Sequence, residues 1–137
     1  MEVFADTLYW IAMARPNDSW AAAARRAKAN LGDVTLVTTE EVLSEVLTAL
    51  AGGGPSLRHA AAAMVRAIQT SSDVRVISQS GESFLAGLAH YESRLDKSYS
   101  MADCVSMQVM RFQQIEAVLT NDHHFTQDGF VVLISQG

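Results

Sequence analysis

Short apolar runs alternate along this chain with longer segments whose apolar positions recur every three or four residues. Val3-Phe4-Ala5, Val34 to Val37, Val74 to Ile77, Ala117-Val118-Leu119 and Phe130 to Ile134 read as five brief strands. Between them lie helical patterns. Thr7 is placed to cap a helix carrying Leu8, Ile11 and Ala12, and Arg15 to Ser19 breaks it. Residues 19 to 30 are alanine-rich and helical, with Arg25, Arg26 and Lys28 toward the C-terminal end, where cations suit the helix dipole. Thr38 and Glu41 fit a capping box for a helix whose stripe is Val42, Leu43, Val46, Leu47 and Leu50. Gly52 to Pro55 stops that helix, and the pattern resumes at Leu57, Ala61, Met64, Val65 and Ile68. Ser80 to Leu95 carries Phe84, Leu88, Tyr91 and Leu95 on one stripe, Asp96 to Tyr99 is a polar loop, and Ser100 to Phe112 is the last long helix.

Strands separated by helices imply a mostly parallel sheet covered on both faces. Such sheets bind ligands at the carboxyl ends of their strands. Asp6 and Asp122 each follow a strand directly, and Asp103 sits in the opening turn of a helix that returns to the sheet. Topology therefore draws three acids toward one edge. Glu45 lies within its helix, roughly 130° from the centre of the apolar stripe at about 100° per residue. It reaches that edge if the helix leans over it. Four carboxylates gathered from four elements would suit a hard divalent cation, Mg²⁺ or Mn²⁺, because these ions prefer oxygen ligands.

At 137 residues the chain is the size of one domain, residues 1–137, and a hydrophobic fraction of 49% is ample for a core. The apolar runs are too short to cross a membrane, and the first residues lack the pattern of a secretory signal. Cys104 is the only cysteine, which fits a reducing cytoplasm. A net charge of −5 disfavours indiscriminate nucleic-acid binding through bulk charge, while ten Lys and Arg remain for a local basic rim.

Four segments carry a resemblance. They are Phe4-Ala5-Asp6-Thr7, Val42-Leu43-Ser44-Glu45-Val46-Leu47, the run Asp96-Lys97-Ser98-Tyr99-Ser100-Met101-Ala102-Asp103-Cys104, and Leu119-Thr120-Asn121-Asp122-His123-His124-Phe125. In these the chain resembles the PIN-domain family, in particular the VapC-type ribonuclease toxins of bacterial toxin–antitoxin pairs. The resemblance implies a three-layer α/β/α sandwich and Mg²⁺ or Mn²⁺ held by Asp6, Glu45, Asp103 and Asp122. It also implies endonucleolytic cleavage of RNA, a homodimer, and a protein antitoxin that blocks the site. Asn121 and Asp128 depart from it, standing where more apolar or neutral residues are expected. A non-catalytic RNA-binding or regulatory PIN-like protein, and a DNA- or structure-specific nuclease, are the rival functions.

Each acid also has an ordinary role open to it. Asp103 completes a capping box with Ser100. Glu45 could be solvated, Asp6 could serve a helix N-terminus, and Asp122 could be a turn residue. The hydroxyls of Thr7, Ser100 and Thr120 neighbour the acids and could orient a carboxylate or a bound water. His123 and His124 follow Asp122, but adjacent side chains diverge and no second His or Cys pair has zinc-ligand spacing. One of them is expected to fix the loop or touch substrate. Cys104 lacks a base or cysteine partner and reads as a small buried residue. Arg15, Lys97 and Arg111 are the candidates for phosphate contact.

Overall fold

Val3, Phe4 and Ala5 are all fully buried. Successive strand residues point to opposite faces, so the strand that carries them is covered on both sides. It is β1 (Glu2–Ala5), the middle of a five-stranded sheet in a computed structural model that describes residues 1–136. The other strands are β2 (Thr35–Thr39), β3 (Val74–Ile77), β4 (Ala117–Leu119) and β5 (Val131–Val132). Their spatial order is β3-β2-β1-β4-β5, and every pairing is parallel.

The helices are α1 (Thr7–Ala14), α2 (Ala21–Leu31), α3 (Glu40–Leu50), α4 (Pro55–Thr70), α5 (Gly81–Ser93), α6 (Met101–Phe112) and α7 (His123–Gln127). They complete a three-layer α/β/α sandwich around one continuous apolar cluster. Phe4, Phe125, Met107, Met110 and Leu119 are among its largest fully buried side chains. Each such side chain contributes on the order of 1.5–3 kcal/mol by leaving water.

The strand order reverses between β1 and β4, which makes their carboxyl ends the switch point where open parallel sheets form a crevice. Asp6 leaves β1 there. Its amide donates to the Leu119 carbonyl at 3.3 Å, so the pairing of the two strands continues to the acid itself. The β2 side is tied in as well: the buried Thr38 hydroxyl donates to the Ala5 carbonyl at 2.9 Å, one residue before Asp6.

Several local expectations are corrected. Asp6, not Thr7, occupies the N-cap position of α1, without a capping bond from its side chain. Thr39 rather than Thr38 caps α3, accepting from the Val42 amide, because the Thr38 hydroxyl is engaged with the Ala5 carbonyl and Thr39 directly precedes the helix. Most of the stripe expected to bury α5 points outward: Phe84 and Tyr91 are 53% and 50% exposed, Leu88 is half-buried, and Leu95, 84% exposed, lies beyond the end of the helix. The helix meets α6 instead through Gly87, where a Cβ would lie 2.6 Å from Val105 Cγ2. Helical spacing marks a face, but backbone proximity demands the smallest residue. The polar-looking stretch after Asp122 folds into α7, and β5 is shorter than its apolar run.

Candidate metal centre

Asp6, Glu45, Asp103 and Asp122 arrive from four elements and line one cleft of about 810 Å³ at the switch point. Asp6 is placed by the end of β1. Its Oδ2 accepts the buried Thr120 hydroxyl at 3.0 Å, and Thr120 Oγ1 in turn accepts the Asp122 amide at 3.2 Å. One hydroxyl thus joins the two strand-end acids. Glu45 projects from α3, and the Thr7 hydroxyl donates to its Oε1. The helix does lean over the edge, and Glu45 is half-buried rather than freely solvated.

Asp103 holds two roles at once. Its Oδ2 accepts the Ser100 amide at 3.1 Å while Ser100 Oγ accepts the Asp103 amide at 3.0 Å, the reciprocal capping box of α6. The same Oδ2 lies 3.2 Å from His124 Nδ1. Both contacts use one oxygen; among the described residues Oδ1 has no protein donor and is left for a ligand. Asp122 is likewise the N-cap of α7, its Oδ1 accepting the His124 amide at 2.9 Å. Capping and ligand-holding are therefore compatible uses of these two side chains.

Burial, and with it crowding, shows in the titration of the acids. The Asp6 carboxyl is pushed up to about 7, first by burial and then by the charges of Asp103 and Glu45, against the opposing Thr7 amide and Thr120 hydroxyl. Asp103 is raised by burial and by Asp122, with the Ser100 amide and His124 working the other way. Groups that repel one another in this way favour a bound cation over empty proximity.

Ligand atoms of Asp103, Asp122 and His124 all lie within 4.8 Å of one another, so the arrangement and its donor chemistry fit a divalent metal ion. His124 Nδ1 lies between the two carboxylates, 3.4 Å from Asp122 Oδ1, and its Nε2 is 3.2 Å from Ser98 Oγ. These contacts tie His124 to both acids and to the 94–100 segment, whereas His123 is exposed at the cleft wall.

The cleft also has an apolar side that sequence reading did not single out, built from Leu8, Ile11 and Trp20. A half-exposed tryptophan ahead of an alanine-rich helix was its one signal. The three basic candidates stand elsewhere. Among the described cleft-lining residues none of Arg15, Lys97 and Arg111 appears. Arg15 is exposed at the end of α1, and Lys97 Nζ lies 3.6 Å from Asp96. Arg111 contacts Asp128 Oδ2 at 2.7 Å and lies over the Phe130 ring. Cys104 is fully buried, and burial pushes its thiol up to about 11, which suppresses the nucleophilic thiolate.

Comparison with known proteins adds three findings. Residues 3–130 match the PIN domain. The "23S rRNA-specific endonuclease VapC20" of Mycobacterium tuberculosis, found in strains CDC 1551 / Oshkosh and H37Rv, is 31% identical over 132 residues, covering 94% of this chain and 95% of the relative. The crystal structure of Mycobacterium tuberculosis VapC20, described as a sarcin-ricin loop cleaving toxin, superposes with a TM-score of 0.85 at 27% identity, covering 97% of this chain and 99% of that one.

Proposed function

The chain belongs to the PIN domain family, and on that premise we propose that it is a metal-dependent endoribonuclease, the toxin of a type II toxin–antitoxin pair. A single PIN domain carries the activity. The observation that supports this reading is the convergence of Asp6, Glu45, Asp103 and Asp122 on one cleft, where burial, with the charges of Asp103 and Glu45 adding to it, raises the Asp6 carboxyl to about 7.

Asp6, Asp103 and Asp122 would hold Mg²⁺ or Mn²⁺, with Glu45 completing the site directly or through water. A bound divalent ion supplies charge neutralisation at the phosphodiester, a lowered pKa for water and stabilisation of the leaving oxygen. The chain's own residues do the positioning. Thr120 aligns Asp6 with Asp122, and Ser100 and His124 hold one oxygen of Asp103 so that the other faces the ligand. Thr7 engages Glu45 Oε1 and leaves Oε2 to orient the attacking water. Trp20 offers a face on which an unpaired base flanking the scissile phosphate stacks. Lys97, next to the cleft-lining Ser98, and Arg15, between the cleft-lining Ile11 and Asp18, meet phosphates further along the strand. Arg111 is withdrawn from that role because its guanidinium is engaged by Asp128.

Sequence similarity to the mycobacterial relatives makes the sarcin–ricin loop of 23S rRNA the first substrate to examine. The reading includes a cytoplasmic site of action, a cognate protein antitoxin and a homodimer. No described helix is long and apolar enough to cross a membrane. The surface of α5 is the one offered to the dimer. Ile68 is buried and Met64 and Val65 pack on the core, whereas Phe84, Leu85 and Tyr91 expose an apolar stripe on α5 that a second copy would cover.

The test is cleavage of total RNA and of isolated 23S rRNA by purified protein with Mg²⁺, Mn²⁺ or EDTA, with the new ends sequenced. The expected result is a discrete internal cut that EDTA abolishes. Metal-independent cutting, RNA binding without cutting, or cleavage confined to DNA would each overturn the proposal.

A further inference from the structure

Asp128, an acid where the resemblance leads one to expect a more apolar or neutral residue, is not solvated. Its side chain is 1% exposed. His90 Nε2 lies 2.9 Å from Oδ2 and Arg111 Nη2 2.7 Å from the same oxygen. Arg94 Nη1 donates to Oδ1 at 3.0 Å, the Tyr99 hydroxyl donates to it at 3.2 Å, and Arg111 also donates to the Asp128 carbonyl at 2.6 Å. A carboxylate taken out of water costs several kcal/mol unless its partners are well placed. These partners come from α5, the 94–100 segment and α6, so their joint demand fixes how those elements meet the end of α7.

Two physical routes lead from this hub to the metal centre. Tyr99, 5% exposed, lies against His124 with ring centroids 5.3 Å apart, and against His90 at 6.0 Å. His124 is the residue between Asp103 and Asp122. The second route is α7 itself, which is only five residues long. Asp122 caps its start and Asp128 ends it. Gly129, at φ +95, then lets the chain reverse so that the Phe130 amide reaches the Phe125 carbonyl at 2.9 Å. A helix this short has little stability of its own, so the hub holds both the helix and the His124 that it carries.

We propose that Asp128 is a positioning residue for the metal centre, setting through Tyr99 and α7 the placement of His124 between Asp103 and Asp122. The inference rests on the four-acid reading and is separable from it. The test is Mn²⁺ affinity by calorimetry on the full chain, with folding followed by circular dichroism. Asp128→Asn keeps the volume and removes the charge. Tyr99→Leu leaves the other hub contacts and removes the ring against His124. Both are expected to raise the Mn²⁺ Kd about tenfold, the low end of the loss seen when a ligand's supporting partner is removed.

Glu2→Gln is the control. It weakens the remote Arg75–Glu2 pair, 2.8 Å in the wild type, and should lower the melting temperature while leaving the Kd unchanged. A wild-type Kd in folded Asp128→Asn, or in Tyr99→Leu where Asp128→Asn does not fold, overturns the inference. So does an equal loss in Glu2→Gln. Asp103→Asn reports on the underlying reading alone: if it binds Mn²⁺ like the wild type, the four-acid centre falls.

Discussion

The Thr120 hydroxyl donates to Asp6 Oδ2 at 3.0 Å, joining residues 114 positions apart at the ends of two neighbouring strands. Because Thr120 also accepts the Asp122 amide, its loss should loosen both acids. Thr120→Val conserves shape in a fully buried position but removes the donor. We expect it to raise the Mn²⁺ Kd about tenfold, with Thr120→Ser close to wild type. Equal affinities for valine and serine, measured by calorimetry, would refute the linkage.

Asp103 stands in both the capping box and the candidate metal cluster, and asparagine separates the two uses. Asp103→Asn keeps an acceptor for the Ser100 amide, so the helix should lose only tenths of a kcal/mol. RNA cleavage should fall by orders of magnitude, since about 1.4 kcal/mol of lost transition-state stabilisation costs tenfold. Ser100→Ala should show the opposite balance, losing about 1 kcal/mol of stability and retaining far more activity. Near-wild-type cleavage by folded Asp103→Asn at saturating Mn²⁺ would sink the mechanism.

The raised Asp6 carboxyl gives a pH dependence with a definite sign. In the unfolded chain this group titrates near 3.8 and in the native metal-free protein near 7, so the native state binds the extra proton between those values. Stability from Asp6 is fully present below 3.8, falls as pH rises toward 7, and is gone above it. The difference amounts to at most about 4 kcal/mol, at roughly 1.4 kcal/mol per pH unit. Asp103, also raised, acts in the same direction. Asp128 does not offset this. Burial alone would raise it, but Arg111, His90 and Tyr99 hold it below 3.8, where its own loss of stability on acidification lies. Chemical denaturation of EDTA-treated protein should show greater stability at pH 5 than at pH 8, with a flatter profile in Asp6→Asn. Parallel profiles for the two proteins would contradict the assignment.

Metal should reverse that penalty. An ion that binds only the native state stabilises by about 2.7 kcal/mol at one hundred times its Kd. The melting temperature of the wild type is therefore expected to rise with millimolar Mn²⁺, and that of an Asp6→Asn, Asp103→Asn double variant to stay constant. An equal rise in both would place the stabilising ion elsewhere.

Gly87 offers a test of packing against propensity. In an exposed helix Gly→Ala gains up to about 1 kcal/mol. At Gly87 the added methyl would meet Val105 Cγ2 at 2.6 Å and the Val105 Cα at 3.3 Å, and overpacking of this kind costs about 1–3 kcal/mol. Gly87→Ala should lower the melting temperature. A rise would mean that α5 and α6 do not meet as closely as described.

Period and punctuation in the sequence determined the alternation of strand and helix, and with it a parallel sheet whose carboxyl edge gathers Asp6, Asp103 and Asp122. These are local properties: a strand end, a capping box and a turn are written in neighbouring residues. The family motif extended that reading to Glu45, whose own helix marked it only as a solvated side chain. What neighbouring residues do not encode is contact across the fold. The outward face of α5, the close approach at Gly87, the Thr7 bond to Glu45 and the Thr120 bond to Asp6 depend on how elements dock. Asp128 is the sharpest case. In sequence it is an acid out of place; in the structure it is buried among two arginines, a histidine and a tyrosine drawn from 17 to 38 positions away. Burial of its charge is tolerable only once those partners converge, and that convergence is decided by tertiary packing alone.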